Sequence, residues 1–522
     1  MAASQPTDHH PTTAPRISRD VDRAATSSHG LIVVGGGIYG VCVALEAARR
    51  GLHPLLVERD DFGGATSWSS LRIVHGGLRY LQKLDLYRFR QSIPERRWFQ
   101  SVLPDLVRPL PCLMPLYGNG LRKPWIFQIA LRLNDRLSRR RNDGLRDDVR
   151  LGPGEVIGPA EVCELVPAVD RTGLRGGALW HDAYMLSSER VLIELLRWAC
   201  GSGAIALNYV EAVALRIAAG RVCGVEALDR ESGQSIELQA PVVIACGGPW
   251  SRSLSARFDR ERPELIEPSL AFNLLVDRPA IADVAVAVAP KRPGASTYFV
   301  LPWKGRILAG TCHLPWDGGL DPIGPTEEQL IGLLDDLNAA IPGLGVERRH
   351  VMRVYAGIVP AVAAGSNHTA NRAIVVDHGA TGGPQGLVSV SGVKYTTARL
   401  EAQRTLRIAM GGSLPPIDAS VALSPPTDPG SRFLCLDDDT GPLPAAIARV
   451  IDEEAVLHVD DLLLRRMDLA VDGERALQLA AEVCDHPGWR GAPKPTELSR
   501  MAEITAGQAF GGAIAKVAPF SV

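Results

Sequence analysis

Gly35, Gly37 and Gly40 in "VVGGGIYG" have the spacing G-x-G-x-x-G, directly after one apolar run and before an alanine-rich one. The first glycine permits a tight turn, the second lets a pyrophosphate reach backbone N–H groups at a helix N-terminus, and the third lets helix and strand pack closely. Glu58 ends the next apolar run, where a carboxylate can hold a ribose hydroxyl. The residues after it, "RDDFGGATSWSS", supply Thr66, Ser67, Ser69 and Ser70, small donors suited to a long pyrophosphate and ribityl chain. Next comes "HGGLRY", with His75, Gly76 and Gly77 ahead of Arg79 and Tyr80. Paired glycines weaken a helix or strand. Something must therefore approach that backbone where a Cβ would intrude.

These groups need elements to position them. "GLIVVGGGIYGVCVALEAARRGLHPLLVERD" reads as strand, glycine turn, helix and strand, one βαβ unit of a parallel sheet. From about 80 to 150 the pattern is mostly helical and basic. "GALWHDAYMLSSERVLIELLRWACGSGAIALNYVEAVAL" then reads as strand, loop, helix and strand, and "GQSIELQAPVVIACGGPW" as a hairpin and a buried strand. From 268 to about 314 the alternation predicts an antiparallel sheet, followed by a helix near 326–340 and a strand at "HVMRVYAGIVPAV". "GLVSVSGVKYTTARLEAQRTLRIAM" reads as strand, turn and helix, a return to the first sheet.

A chain of 522 residues exceeds one ordinary core. A net charge of -2 with 22% charged residues gives no bias toward nucleic acid. Nine scattered cysteines without a C-x-x-C pair argue against a disulfide framework or a metal site, and for a reducing, cytoplasmic setting. No run reaches the eighteen or so apolar residues of a spanning helix. Residues 1–29 read as a disordered tail, 413–442 as a Pro-rich linker and 443–522 as a helical region.

Together, G-G-G-I-x-G, E-R-D-D-F, A-T-S-x-x-S, H-G-G-L-R-Y-L, A-C-G-G-P-W and S-G-V-K-Y-T-T resemble, in that order, the FAD-dependent glycerol-3-phosphate dehydrogenases. These lie within the D-amino-acid-oxidase-like flavoproteins. The resemblance covers about 30–410 well and 445–475 moderately. It implies an α/β fold with a discontinuous, Rossmann-like FAD domain (30–100, 180–255 and 361–412). An antiparallel-sheet substrate domain (101–179 and 256–360) and a small C-terminal helical domain would complete it.

The resemblance also implies roles. His75, Gly76 and Gly77 would lie against the flavin ring, with Arg79 and Tyr80 in the substrate cavity. Ala245, Gly247 and Trp250 would lie beside the cofactor, as would Gly35, Gly37, Gly40, Glu58, Arg59, Thr66, Ser67 and Ser70. Gly392, Val393, Lys394 and Thr396 would meet the flavin, near the N-terminus of a helix. Arg79, Arg372 and Lys394 would form an electropositive pocket for a phosphate or carboxylate.

Three positions depart from the family pattern. "AGIVP" places Val359 where an arginine is expected, "SLAFNLL" puts the expected histidine at about Phe272, and "GTCH" leaves His313 in place of an acid. An imidazole titrates near neutral pH, so His313 can replace a base. The expected function is oxidation of a small anionic hydroxy compound, glycerol 3-phosphate first, with electrons passed to a quinone-type acceptor. The alternatives are a different hydroxy or amine donor on the same fold, and a flavin-binding partner protein without turnover. A homodimer is a further expectation.

"LRKPWIFQIALRLNDRLSRRR" carries Arg122, Lys123, Arg132, Arg136, Arg139, Arg140 and Arg141 against one acid. It suits either peripheral attachment to the inner membrane face or a helix packed on the protein.

Overall fold

Leu31–Val34 is buried at every position and forms an inner strand of a six-stranded sheet. The strand order is Ile374–Asp377, Leu387–Ser391, Val243–Ala245, Leu31–Val34, Pro54–Val57 and Ile205–Leu207. All pairings are parallel except that of the first strand, which runs antiparallel to its neighbour. The helices Ile38–Ala48, Ser188–Gly201 and Ala398–Ala409 cover one face. A three-stranded antiparallel sheet (Val210–Ala218, Arg221–Asp229, Ser235–Gln239) covers the other. Burial on both faces is why these strands are continuous apolar runs. The computed structural model describes residues 15–78, 85–118, 120, 123–292, 294–418, 423, 446–468 and 473–509.

The second sheet has nine strands, and its two faces bury separate clusters. Its strands Val351–Pro360, Pro268–Pro279 and Arg306–Pro315 lie side by side and antiparallel. Tyr298–Trp303, Ala285–Val288, Val107–Leu116 and Gly176–Met185 continue it. The helix Glu327–Ala340 packs on the face bearing Phe272 and Leu274. The opposite face, bearing Leu275 and Tyr355, packs against Trp68 and the cofactor-domain loop that carries it.

The α/β architecture, with a parallel sheet, an antiparallel sheet and C-terminal helices, is the one expected. Particular segments differ. Val107–Leu116 is a strand inside the stretch read as helical; Pro109, Pro111 and Pro115 masked it, although the N–H groups between them keep the ladder. Ile73–Val74 pairs with Gly176–Met185, so Ile73–Val74 and the end of that strand, 180–185, lie in the second sheet rather than in the nucleotide-binding one.

Residues 15–29 are ordered against the protein, correcting the reading of a tail. Ile17 is 1% exposed and its N–H bonds Glu453 O, Arg19 pairs with Asp229, and Asp20 caps the helix Val21–Thr26. These anchors are single residues spread through a polar stretch, too few to register as a pattern. Residues 1–14, and most of the 413–442 linker, lie outside the described residues.

The C-terminal helices Ala446–Glu453, Gly473–Cys484 and Lys494–Ala509 enclose their own core. They meet the nucleotide domain along a seam of buried ion pairs. Asp61 accepts from Arg465 Nε and Arg466 Nη1, each at 2.6 Å, while Arg190 and Arg197 reach Glu454. Arg72 pairs with Asp468 and Glu189.

His458 adds a clasp, its Nδ1 2.9 Å from Glu497 and its Nε2 3.3 Å from Glu231 in the neighbouring hairpin. Burial lowers its pKa, but the two carboxylates outweigh that and push it up to about 10. The clasp therefore stabilises fully below the ordinary histidine value of about 6.5, and its contribution falls as pH rises toward 10. Urea midpoints at pH 7 and pH 9.5 are expected to differ more in the native chain than in His458→Gln, by at least about 1 kcal/mol of unfolding free energy.

Candidate cofactor site and substrate face

The Gly35–Gly40 turn joins the Leu31–Val34 strand to the Ile38–Ala48 helix. Gly35 has φ +109°, a conformation open to glycine, and a Cβ on Gly40 would overlap the Gly35 carbonyl oxygen. The helix begins at Gly37, which has no side chain to cap it; instead the Ile38 N–H donates to Ser67 Oγ at 2.9 Å. Glu58 accepts from Gly36 N–H at 2.6 Å and from Asp60 N–H at 3.0 Å. Burial pushes its carboxyl up from the ordinary range.

Around this turn lies one cavity of about 470 Å³. Among the residues predicted to hold a cofactor, Gly35, Gly37, Glu58, Arg59, Thr66, Ser67, Gly247 and Trp250 line it. The Arg59 guanidinium stacks 4.0 Å from the Trp250 ring centre at its wall. A carboxylate offers about four acceptor positions and Glu58 uses two, so a ribose diol suits the remainder. A helix N-terminus whose cap residue is a glycine suits a pyrophosphate. The residues present fit the adenosine diphosphate half of FAD.

Gly40 and Ala245 serve the same site from behind, through helix packing and through the pairing of Ala245 with Val34. Ser70 instead supports the chain that follows it, its Oγ accepting from the Arg72 N–H at 3.3 Å.

His75, Gly76 and Gly77 are not among the residues lining this cavity. The reason for the paired glycines is another part of the protein. A Cβ on Gly76 would overlap the Arg96 guanidinium, and one on Gly77 would stand 2.6 Å from Asn134 Oδ1. Arg96 is buried and pairs with Asp182 at 2.6 Å, and Asp182 also accepts the Gly76 N–H at 2.8 Å. His75 Nδ1 lies 3.3 Å from the same carboxylate. Burial raises the Asp182 pKa, but the His75 hydrogen bond and the Arg96 charge outweigh it and hold the carboxyl below its usual range. The space a Cβ would need at these two glycines is taken by protein side chains, Arg96 and Asn134.

Gly392, Val393 and Lys394 reach the cofactor helix through Tyr39. Its hydroxyl donates to Lys394 O at 3.1 Å and accepts from the Val393 and Lys394 N–H groups, filling its hydrogen-bonding capacity. A Cβ on Gly392 would overlap the Tyr39 ring. Thr396 is buried in this turn, and the Ala398–Ala409 helix opens just after it.

Of the three residues expected to form a cationic pocket, Arg372 and Lys394 are described, and neither lines the cofactor cavity. The Arg372 guanidinium lies 4.2 Å from the Tyr87 ring centre. Lys394 acts on Asp85, two residues away from Tyr87. Slight burial raises the Asp85 carboxyl, but Arg88 and then Lys394 hold it below its ordinary value. Arg79 and Tyr80 lie outside the described residues.

On the substrate sheet, Ala271 pairs with His313 on one side and Gly357 on the other. A Cβ on Gly357 would stand 2.9 Å from Thr66, and Asn273 Nδ2 donates to Ser69 O, so the odd-numbered residues of this strand face the cofactor loop. Phe272 faces the other way, fully buried against the core beneath the Glu327–Ala340 helix. Phe272, at about the position where the family pattern has a histidine, therefore points away from the cofactor loop, and Ala271 and Asn273 are the residues on the facing side. Strand alternation decides this, and a one-residue shift reverses it.

Tyr39, Arg96 and Asp182 were not singled out from the sequence. Tyr39 stood within the glycine motif, and Asp182 is the one acid in its strand, Gly176–Met185, which was a usable signal. Arg96 offered none. One further constellation is structural: His378 bridges Asp259 at 2.8 Å and Ser389 Oγ at 2.9 Å, but Ser389 is 2% exposed within the central sheet.

A glycine turn on a helix N-terminus, a partly buried acid at the end of the next strand and a facing antiparallel sheet define a dinucleotide-cofactor oxidoreductase. A family model described as FAD dependent oxidoreductase matches residues 31–398, and the chain belongs to that family, with FAD as its cofactor. Among its relatives, a glycerol-3-phosphate dehydrogenase of Synechocystis is 32% identical over 403 residues, covering 73% of this chain and 70% of that protein. The human mitochondrial glycerol-3-phosphate dehydrogenase is 28% identical over 424 residues, covering 78% of this chain but 56% of its own length. A structure of glycerol-3-phosphate dehydrogenase from Bacillus halodurans complexed with FAD superposes with a TM-score of 0.57 at 22% identity. That match covers 77% of this chain and 68% of the other.

Proposed function

We propose that this chain oxidises a small hydroxy compound bearing a phosphate or carboxylate, with glycerol 3-phosphate the first candidate, and passes the electrons to a quinone-type acceptor. The observation that supports this most is the identity of about 30% with relatives named glycerol-3-phosphate dehydrogenase. Bound FAD supplies a hydride acceptor. The chain must hold the anionic end of the donor, orient its carbinol carbon and take the hydroxyl proton. Arg372 and Lys394, together with Arg79, supply positive charge for holding the anion. His313, across one strand from Gly357, is assigned the proton.

An anaerobic titration with glycerol 3-phosphate is expected to bleach the oxidised flavin band. A band unchanged by glycerol 3-phosphate, yet bleached by dithionite, would overturn this substrate. Val359 is the residue that favours a different donor: it replaces an expected arginine, and it pairs with Ser269, two residues before Ala271 on the site face. No donor bleaching the flavin would point to a partner protein without turnover.

The reading extends to an anionic membrane surface. In the helix Pro124–Leu137, Phe127 and Leu131 are buried in the protein. Trp125, Ile129, Leu133 and Leu137 form an i, i+4 stripe, 63%, 58%, 44% and 50% exposed. Lys123, Arg132 and Arg136 are exposed beside it. Such a helix lies in the lipid interface with cations against the headgroups. Among the described residues no helix is long and apolar enough to cross a membrane. Cosedimentation with anionic vesicles is expected to fall at least about tenfold in Trp125→Glu/Ile129→Glu, with no binding to zwitterionic vesicles in either form.

A further inference from the structure

The cofactor cavity is not closed by the nucleotide domain alone. Thr496, Ser499, Arg500 and Ile504, on the Lys494–Ala509 helix, line the same space as Gly35, Gly37 and Glu58. His458 and Arg465 line it as well. We propose that the C-terminal helical unit is the roof of the FAD site, and that its buried ion-pair seam sets how long FAD stays bound. This goes beyond the proposed substrate and does not depend on it.

The connection runs through one short loop. Glu58 faces the cavity, and three residues later Asp61 takes Arg465 and Arg466 from the roof. The intervening backbone is pinned: Val210 N–H bonds Glu58 O, Tyr209 N–H bonds Asp60 O, and Gly63 N–H bonds Gly36 O in the phosphate turn. Movement of the roof therefore pulls on the residues that hold the ribose and the helix N-terminus. Tyr209 joins the two sides again, its hydroxyl donating to Asp461 at 2.7 Å.

Arg500 is the roof residue best placed for a test. It lines the cavity, its Nε donates to Asp460 at 2.6 Å, and its side chain is 21% exposed, so its loss leaves less uncompensated buried charge than loss of Arg465 or Arg466. Its role is positioning: it holds the roof helix to Asp460 and Tyr209.

The measurement is the rate at which holoenzyme releases FAD after dilution, followed by the fluorescence of free FAD. Arg500→Ala is expected to release FAD at least about tenfold faster, with Arg500→Lys intermediate and the melting temperature of the flavin-free protein nearly unchanged. An unchanged release rate would overturn the proposal. A second measurement uses the native chain and needs no variant. Amide exchange in 457–465 and 494–506 is expected to slow when FAD loads the flavin-free protein. Equal exchange with and without FAD would overturn the proposal even if Arg500→Ala fails to fold.

Discussion

Gly40→Ala is expected to yield protein that folds but purifies without flavin. The added Cβ overlaps the Gly35 carbonyl oxygen and stands 3.4 Å from Val33 Cγ1, so the helix must lift from its strand. Backbone atoms make both the turn and the contact, and no side-chain rotation relieves the overlap. Lifting the helix moves Gly37 and Ile38, the N-terminus on which a pyrophosphate must sit. FAD affinity is expected to weaken on the order of 100-fold, about 2.7 kcal/mol. The ratio of flavin to protein absorbance after purification, and titration of the flavin-free protein with FAD, check it. Full flavin content would mean that the turn tolerates a side chain.

Asp61→Ala is the second large effect, and it acts on stability. Burial raises the Asp61 carboxyl, but the Arg466 and Arg465 charges outweigh it and hold it down at about 2. Its removal leaves two guanidiniums, each at most 4% exposed, without the carboxylate they share. Breaking one side of such a buried cluster costs about 3–5 kcal/mol. The urea midpoint is expected to drop accordingly, and protease cutting is expected to start in the C-terminal helices. The pH dependence has a definite sign. The pair stabilises fully above the ordinary aspartate value of about 3.8, and its contribution is lost as pH falls toward 2. Acid unfolding is therefore expected to begin at this seam.

The parts of this architecture that repeat or follow a period could be read from the chain. Leu31–Val34, the glycine turn, its helix and Glu58 form one contiguous signal, because a phosphate turn must be built from neighbours. What could not be read depends on partners far apart in the chain. Gly76 and Gly77 announced a close approach, but Arg96 and Asp182, which account for Gly76, come from a different helix and strand. Phe272 was placed by matching letters, while its role depends on which side of a strand it faces, and that is fixed by pairing with Ala356 and Cys312. The roof helix Lys494–Ala509 lies beyond 445–475, the stretch that carries the C-terminal resemblance. Its cavity residues Thr496, Ser499 and Ile504 are ordinary helix positions until the seam brings them over the glycine turn.

The strand order of the central sheet has a consequence for how the protein is made. Its members come from 31–57, 205–207, 243–245 and 374–391, so the sheet is complete only after residue 391 has left the ribosome. The Lys494–Ala509 helix follows about a hundred residues later, an interval of roughly 5–20 s at typical rates of synthesis. During that interval the phosphate turn and Glu58 stand open on the side that the helix will cover. Translation thus orders assembly, with a flavin-accessible groove first and its enclosure last.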